Sequence, residues 1–264
     1  MTIVVCQFPC LEDNYGFLVH DDATGWTASI DAPDAQVILA QLAQRGWNLT
    51  AILNTHWHRD HTGGNALLRQ ATGALVIAPA EVGKTGPVDR IVSHGDTVVL
   101  GALSLQVIGT TGHTRGHVCY HEPEHGIVFV GDTLFALGCG RLFEGTAEEM
   151  WDSLTRLAAL PGRTQVYCAH EYTLANAQFA LSVDSTPQLR TRAIAVSAAR
   201  RRGEPTVPTT IEAELLTNPF LRAADAAHFA ALRRAKDQFS QPATGELFMP
   251  DDPARATPAG RQNI

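Results

Sequence analysis

The stretch THWHRDHTGGN, residues 55–65, holds the side chains with the clearest capacity for chemistry. It places His56, His58, Asp60 and His61 within six positions and ends with two glycines and an asparagine. A zinc-binding helix usually spaces its histidines four apart around a glutamate, whereas a spacing of two puts His56 and His58 on one side of an extended segment. We therefore predict a loop that leaves a strand and carries metal ligands.

Three further ligand-type residues follow apolar runs that have the pattern of strands. His113 comes after LSLQVIGT, Asp132 after GIVFV, and His170 after QVYCA. Functional side chains gather at such strand ends. Taken singly, each could be a packing or turn residue. Taken together, five imidazoles and two carboxylates are costly to bury without a cation, and they suffice for two metal ions.

The donor set leaves the metal open, because imidazole and carboxylate without thiolate suit zinc, iron or manganese. His117 also stays open as a ligand, since it follows His113 by four positions and begins the next strand. The remaining five histidines are interpreted as structural or surface residues in polar turns or on helices: His20, His94, His121, His125 and His228.

The elements that must position these residues change character along the chain. Nine apolar runs before about residue 172 predict strands, with helices over residues 34–45, 64–72 and 147–160. So many strands with few crossover helices favour two packed sheets flanked by helices. Later residues predict helices over 175–202, 210–216 and 224–236. We expect a catalytic domain of residues 1–172, a helical domain of 173–249 and a loose tail of 250–264.

Composition sets bounds on the function. The 264 residues are 45% hydrophobic and 18% charged, as in ordinary globular chains, and the net charge of -7 argues against nucleic acid as a partner. The first residues have no basic leader and only four consecutive apolar positions, so neither a secretory signal nor a membrane span is expected. Five scattered cysteines without a CxxC pair suit free thiols in the cytoplasm. We expect a monomer there.

Several motifs resemble a known family. THWHRDHTGGN, TTGHTRGH, GDTLF and AHEYT, in this order, are similar to the metallo-β-lactamase superfamily signature. More narrowly, DNYGFLV, GDTLFALGCGRLFEGTAEEM, HEYTLAN, EPTVPTTIEAELLTNPFLR and RRAKDQF resemble hydroxyacylglutathione hydrolase, also called glyoxalase II. The likeness covers about residues 3–240. It implies an α+β fold, the four-layer αββα sandwich with a C-terminal helical domain.

The resemblance also implies an activity and residue roles. The activity is hydrolysis of S-(2-hydroxyacyl)glutathione thioesters, such as S-lactoylglutathione, in methylglyoxal detoxification. Two divalent ions are implied, with zinc expected. The implied ligands are, for the first ion, His56, His58 and His113; for the second, Asp60, His61 and His170; and, between them, Asp132.

The same resemblance assigns residues beyond the ligands. It favours His113 over His117, and it puts Asp31 near the ligands without making it one. The implied glutathione contacts are Arg141, Tyr172, Arg233 and Lys236. Arg141 stands where many members have lysine, and Phe143 where many have tyrosine. The missing tyrosine hydroxyl is expected to weaken substrate binding by about 0.5–1.5 kcal/mol.

A thioester suits such a site. Two metals can share a hydroxide, so a nucleophile exists at neutral pH without serine or cysteine, and no GxSxG motif is present. A thiol with a pKa near 8.5 leaves as thiolate and needs no general acid. Asp132 is then expected to hold both metals, and Asp60 to help collect the proton of the nucleophile.

Other functions fit the residues less well. A persulfide dioxygenase of the same superfamily, with one iron held by two histidines and an aspartate, is the main alternative, but those enzymes lack the NPF and KDQF segments. A β-lactamase or lactonase has no use for Arg233 and Lys236. A metal-dependent nuclease would need an inserted basic arm to bind nucleic acid, and the sequence has none. A nonenzymatic scaffold would predict broken ligands, and none of the seven is broken.

Overall fold

Two six-stranded β-sheets pack face to face in the computed structural model, which describes residues 3–240. The first sheet contains, side by side in chain order, β1 (Ile3–Cys10), β2 (Asn14–Asp21), β3 (Thr27–Ile30), β4 (Ala51–Leu53), β5 (Leu75–Ala78) and β6 (Arg90–Ile91). Neighbours are antiparallel from β1 to β3 and parallel from β3 to β6.

The second sheet is mainly antiparallel. Its strands are β7 (Thr97–Leu100), β8 (Leu103–Gly109), β9 (Val118–Glu122), β10 (Ile127–Gly131), β13 (Gln165–Cys168) and β14 (Thr209–Thr210). They lie in that same order across the sheet, and only β10 and β13 pair in parallel. A small hairpin follows β10 and contains β11 (Leu134–Phe135) and β12 (Gly138–Cys139).

Helices cover the outer faces of the sheets. They are α1 (Ala35–Arg45), α2 (Arg59–Thr62), α3 (Asn65–Thr72), α4 (Ala147–Ala158), α5 (Thr173–Val183), α6 (Pro187–Arg201), α7 (Ile211–Thr217) and α8 (Ala226–Asp237), with a 3-10 helix at Ala80–Lys84. A capping box begins α4, since the Thr146 hydroxyl accepts from the Glu149 N–H and the Glu149 carboxylate accepts from the Thr146 N–H. Within the described residues no helix is long and apolar enough to cross a membrane.

Alternation along the strands builds the layers. Buried side chains such as Phe17, Leu53 and Phe129 point between the two sheets. Their sequence neighbours Leu18 and Ile52 point the other way and pack under α1 and α3, as the two-residue period of a strand requires. The four-layer αββα sandwich expected from the sequence is therefore confirmed.

One expected helix is wrong. Residues 175–202 do not form a single helix, because α5 ends at Val183 and α6 begins at Pro187. Proline lacks the N–H that an internal helical position needs but fits the first turn, and it holds Thr186 extended at ψ 144°. The Thr186 N–H is taken by the side chain of Asp184 at 2.9 Å. The break lets α5 and α6 pack against each other.

Sequence patterns also missed several strands. Those without a predicted counterpart are β6, β7, β11, β12 and β14, all of two to four residues. Segments this short show no period. β14 lies in the region expected to be only helical, yet it extends the second sheet beside β13. The end of the expected helical domain, residues 241–249, and the expected tail, 250–264, lie outside the described residues.

Candidate metal centre

Ligand-type side chains converge where four strands end. His56, His58, Asp60 and His61 follow β4, the last two on the single turn of α2. His113 follows β8, Asp132 follows β10 directly, and His170 lies just beyond β13. The expected loop after a strand extends only to His58, because Arg59–Thr62 form α2 and Asn65 begins α3. All seven side chains face one centre. Their ligand atoms form three overlapping groups, each within 4.8 Å: a first of His56, His58 and His113, a second of Asp60, His61 and His170, and a third, His56, His61 and Asp132, that links the other two.

The first group is His56, His58 and His113. Nδ1 of His58 lies 3.0 Å from Nε2 of His56 and 3.0 Å from Nε2 of His113. Burial lowers the pKa of all three imidazoles. Neutral rings that turn nitrogen lone pairs toward one point form a metal-binding arrangement.

The second group is Asp60, His61 and His170. Oδ2 of Asp60 lies 3.4 Å from Nε2 of His61 and 3.4 Å from Nε2 of His170. This group combines carboxylate and imidazole donors, while the first is all imidazole. The second group is therefore the more negatively charged of the two.

Asp132 lies between the groups and turns one oxygen to each. Its Oδ1 is 3.3 Å from Nε2 of His61 and 3.4 Å from Nε2 of His170. Its Oδ2 is 3.5 Å from Nε2 of His113. The side chain thus has the placement of a shared ligand.

Hydrogen bonds behind the imidazoles fix which nitrogen faces the centre. Nδ1 of His61 lies 2.8 Å from the carboxylate of Asp31, and Nδ1 of His113 lies 2.9 Å from the backbone carbonyl of Arg141. These acceptors hold a proton on Nδ1, so Nε2 is the nitrogen that faces the centre and that a neutral ring would offer to a metal ion. Asp31 therefore contacts a candidate ligand, as expected, and it adopts a positive φ of 57° to do so.

The donor set fits divalent metal ions. Nε2 of His61 and Oδ1 of Asp132 are buried without a hydrogen-bond partner, which is costly unless a cation lies between them. Burial raises the pKa of Asp132, but facing His170 and His61 outweigh it and hold that pKa well below its usual range. Burial lowers the pKa of His170, but Asp132 and Asp60 raise it to about 10. The centre favours positive charge.

His117 turns both ring nitrogens to protein atoms. Nε2 accepts the backbone N–H of Asp132 at 3.1 Å, and Nδ1 lies 2.9 Å from the hydroxyl of Thr110. Its contacts therefore support the strand end that carries Asp132.

Two other histidines lie elsewhere than expected, because His20 and His121 are buried in β2 and β9 and not in polar turns.

A cavity of about 380 Å³ opens from the centre. Among the residues that line it are His113, Asp132, Phe135, Cys139, Arg141, Phe143, Tyr172, Asn176, Arg233 and Lys236. All four side chains expected to contact glutathione therefore meet at one cavity wall. Phe135, Cys139 and Asn176 were not singled out as lining residues, since nothing in their local sequence marks them.

The two expected cations of α8 have different surroundings. Arg233 is 4% exposed, donates to the Cys139 carbonyl at 2.9 Å and contacts Asp237 at 2.7 Å. Lys236 donates to the Ala175 carbonyl at 3.1 Å, and its ammonium lies over the rings of Phe179 and Phe239. Burial, and then Arg233, lower the pKa of Lys236 to about 8. Arg233 is thus held in place, and Lys236 is the freer of the two.

Aromatic rings form the cavity entrance. The Tyr172 ring stacks on His170 with centroids 4.7 Å apart. Phe143 is 61% exposed and lies edge-on to His58 and His113.

The five cysteines are all buried and unpaired, and burial raises each thiol pKa. This agrees with their interpretation as free thiols.

Sequence reasoning missed two residues beside the centre. Asp13 and Asn14 form the end of the β1–β2 connection, and they contact His170 and Asp60. The available signal was DNYGFLV, which we used only as a sign of family resemblance.

Two sheets enclosed by helices, with histidines and aspartates gathered at the strand ends, define a metallo-β-lactamase fold. A family model described as the metallo-beta-lactamase superfamily matches residues 22–170, and one described as the hydroxyacylglutathione hydrolase C-terminus matches residues 171–239. The chain belongs to the hydroxyacylglutathione hydrolase family of that superfamily.

Individual proteins agree with this assignment. A hydroxyacylglutathione hydrolase of Erythrobacter litoralis is 55% identical over 88% of this chain and 98% of its own. One of Maricaulis maris is 55% identical over 90% and 99%. Among solved structures, ETHE1 from Myxococcus xanthus superimposes with a TM-score of 0.67 at 28% identity, covering 92% of this chain and 93% of its own.

Proposed function

We propose that this protein hydrolyses S-(2-hydroxyacyl)glutathione thioesters, such as S-lactoylglutathione, to glutathione and a 2-hydroxy acid. One observation carries the proposal. A single cavity joins the metal-binding side chains His113 and Asp132 to the cations Arg141 and Lys236. A relative that covers 88% of the chain bears the name hydroxyacylglutathione hydrolase. Removal of methylglyoxal, the role expected from the sequence, would follow from this activity.

The first group and the second group would each hold one divalent ion, with Asp132 offering an oxygen to both. When bound, divalent ions lower the pKa of water toward about 7 and polarise a carbonyl oxygen, which is the chemistry a thioester needs. Imidazole and carboxylate donors suit zinc, and they also accept iron or manganese. Zinc, two ions per chain, a monomeric state and a cytoplasmic location stay predictions.

Cationic side chains would bind the glutathione half. The guanidinium of Arg141 is exposed, and among residues 3–240 it has no acidic partner. Lys236 extends into the same cavity with one carbonyl contact. Glutathione carries two carboxylates, so these two cations can offer charge-assisted hydrogen bonds to it. Arg233 would shape the wall and add positive charge, and Tyr172 would pack against the ligand.

The proposed reaction needs no general acid, because the leaving group is a thiol. A thiolate departs without a general acid because its conjugate pKa is only about 8.5. The carboxylate of Asp60 is held ionised, since burial raises its pKa but His170 and His61 lower it far more. Its place in the second group, and not its lowered pKa, makes Asp60 the candidate to help collect the proton of the attacking water. The thiols, with raised pKa values, do not compete as nucleophiles.

The rival single-iron dioxygenase shares the HxHxDH motif, so the C-terminal segment distinguishes the two functions. A family model described as the hydroxyacylglutathione hydrolase C-terminus matches residues 171–239, which supports the hydrolase. Purified protein should hydrolyse S-lactoylglutathione, and the fall in thioester absorbance measures this reaction. The same protein should take up no oxygen when it is given glutathione persulfide. Oxygen uptake without hydrolysis would refute the proposal. Asp132→Asn should remove most turnover, because one shared ligand charge is lost.

A further inference from the structure

The turn between β1 and β2 contacts two members of the second group. Oδ1 of Asp13 lies 2.8 Å from Nδ1 of His170. The amide of Asn14 donates to Oδ2 of Asp60 at 3.1 Å. One dipeptide therefore supports a carboxylate and an imidazole that come from different strand ends.

Backbone bonds hold this turn against the strand end that carries His170. The Tyr15 N–H donates to the Ala169 carbonyl at 2.7 Å, and the Glu171 N–H donates to the Asp13 carbonyl at 3.0 Å. An isolated β-bridge joins Asn14 to His170. The side-chain contacts are thus made from a fixed backbone and are not chance encounters of a mobile loop.

The two groups differ in what stands behind their imidazoles. In the second group both imidazoles meet a carboxylate, His61 at Asp31 and His170 at Asp13. In the first group His113 meets a neutral carbonyl, and His56 meets the hydroxyl of Thr55. A carboxylate fixes the ring orientation and raises the basicity of the ligating nitrogen, and such partners typically change metal affinity 10- to 100-fold.

We propose that Asp13 and Asn14 are positioning residues for one metal position, the second group, and leave the first group unaffected. Asp13 keeps Nε2 of His170 toward the centre, and Asn14 keeps Oδ2 of Asp60 there. Neither residue belongs to the three ligand groups or lines the cavity that opens from the centre. The inference rests on the two-ion function proposed above, and it adds that the two ions are held with separable affinities.

The test compares metal binding and ring hydrogen bonding in Asp13→Ala and Asp13→Asn. Cadmium NMR gives one resonance for each occupied position, and competition with a chromophoric chelator gives the affinities. Asp13→Ala should weaken the second ion about 10- to 100-fold and leave the first unchanged. Asp13→Asn keeps an oxygen acceptor without the charge, so it should lose less. The matched control is Asp22→Asn. Asp22 is exposed, with its Oδ1 3.5 Å from Nε2 of His20, and this substitution should change the affinity for neither ion.

A second readout does not depend on any metal. Proton–nitrogen NMR should show a protected Nδ1–H on His170 in the apoprotein, lost in Asp13→Ala while that of His61 remains. The inference would be overturned if Asp13→Ala kept the His170 Nδ1–H and bound both ions with wild-type affinity. It would also be overturned if Asp13→Ala bound both ions equally more weakly. If the wild type binds only one ion, the two-ion function fails, and the His170 proton alone then supports or overturns the role of Asp13.

Discussion

The Nδ1–H of His113 donates to the backbone carbonyl of Arg141 at 2.9 Å. A candidate metal ligand and the segment that lines the substrate cavity are thereby joined through a main-chain atom. Changes to the Arg141 side chain leave that atom in place, so the proposed binding role of Arg141 can be tested separately from support of the candidate metal centre.

Arg141→Ala should keep the metal content and kcat close to wild type and raise KM for S-lactoylglutathione about 10-fold or more. The reason is the loss of a charge-assisted hydrogen bond, worth about 1.5–3 kcal/mol. Steady-state kinetics with metal analysis checks this, and Arg141→Lys should restore part of the affinity. Metal loss in the alanine variant would show that the side chain itself supports His113.

Arg233→Ala should lower the free energy of unfolding by about 1–3 kcal/mol, because the buried Cys139 carbonyl loses its donor. Urea denaturation measures the change. The matched control is Arg234→Ala, an exposed arginine of the same helix, expected to shift stability by no more than about 0.5 kcal/mol. KM should rise more for a glutathione thioester than for a small neutral thioester. Equal stability of the two variants would contradict the structural role of Arg233.

Lys236 should give glutathione binding a pH dependence. Its pKa of about 8 means that the ammonium charge is lost as the pH rises through that value. The Kd of a non-hydrolysable S-alkylglutathione, measured calorimetrically, should therefore increase above pH 8. Lys236→Arg stays charged and should remove this step. An identical pH profile in both proteins would exclude Lys236 from the binding site.

The same lowered pKa has an effect of defined sign on folding. Between about pH 8 and the ordinary lysine pKa of 10.5, the unfolded chain binds this proton more tightly than the folded chain. The contribution of Lys236 to stability therefore rises with pH across that window. The difference in unfolding free energy between wild type and Lys236→Met should show this rise.

His117→Ala should keep two metal ions per chain but lower the free energy of unfolding by about 1–3 kcal/mol, since the Asp132 N–H loses its acceptor. His117→Gln offers an amide oxygen in its place and should recover part of the loss. His113→Ala should instead lose the first ion with little change in the second. Loss of one ion from His117→Ala would make His117 the ligand.

The sequence alone was informative where functional residues come directly after predicted strands. Each of the seven ligand-type residues comes after an apolar run, so their convergence could be predicted from local pattern. For Arg233 and Lys236 it was the family resemblance, and not the local pattern, that indicated a shared site, and both residues line one cavity. Their roles nevertheless stay predictions, because proximity does not establish ligation.

Contacts between distant segments could not be predicted in this way. Asp13 meets His170 across 157 positions, and Arg233 meets Cys139 across 94. Nothing in either local sequence specifies the partner. The break before Pro187 is different, since proline was a visible signal, but the apolar pattern that continues on both sides outweighed it.

The most direct test of the central claim is a stoichiometric titration of apoprotein with zinc while S-lactoylglutathione hydrolysis is followed. Activity should rise until two ions are bound per chain and then stop rising. Full activity at one ion per chain, or no hydrolysis at any metal loading, would contradict the account.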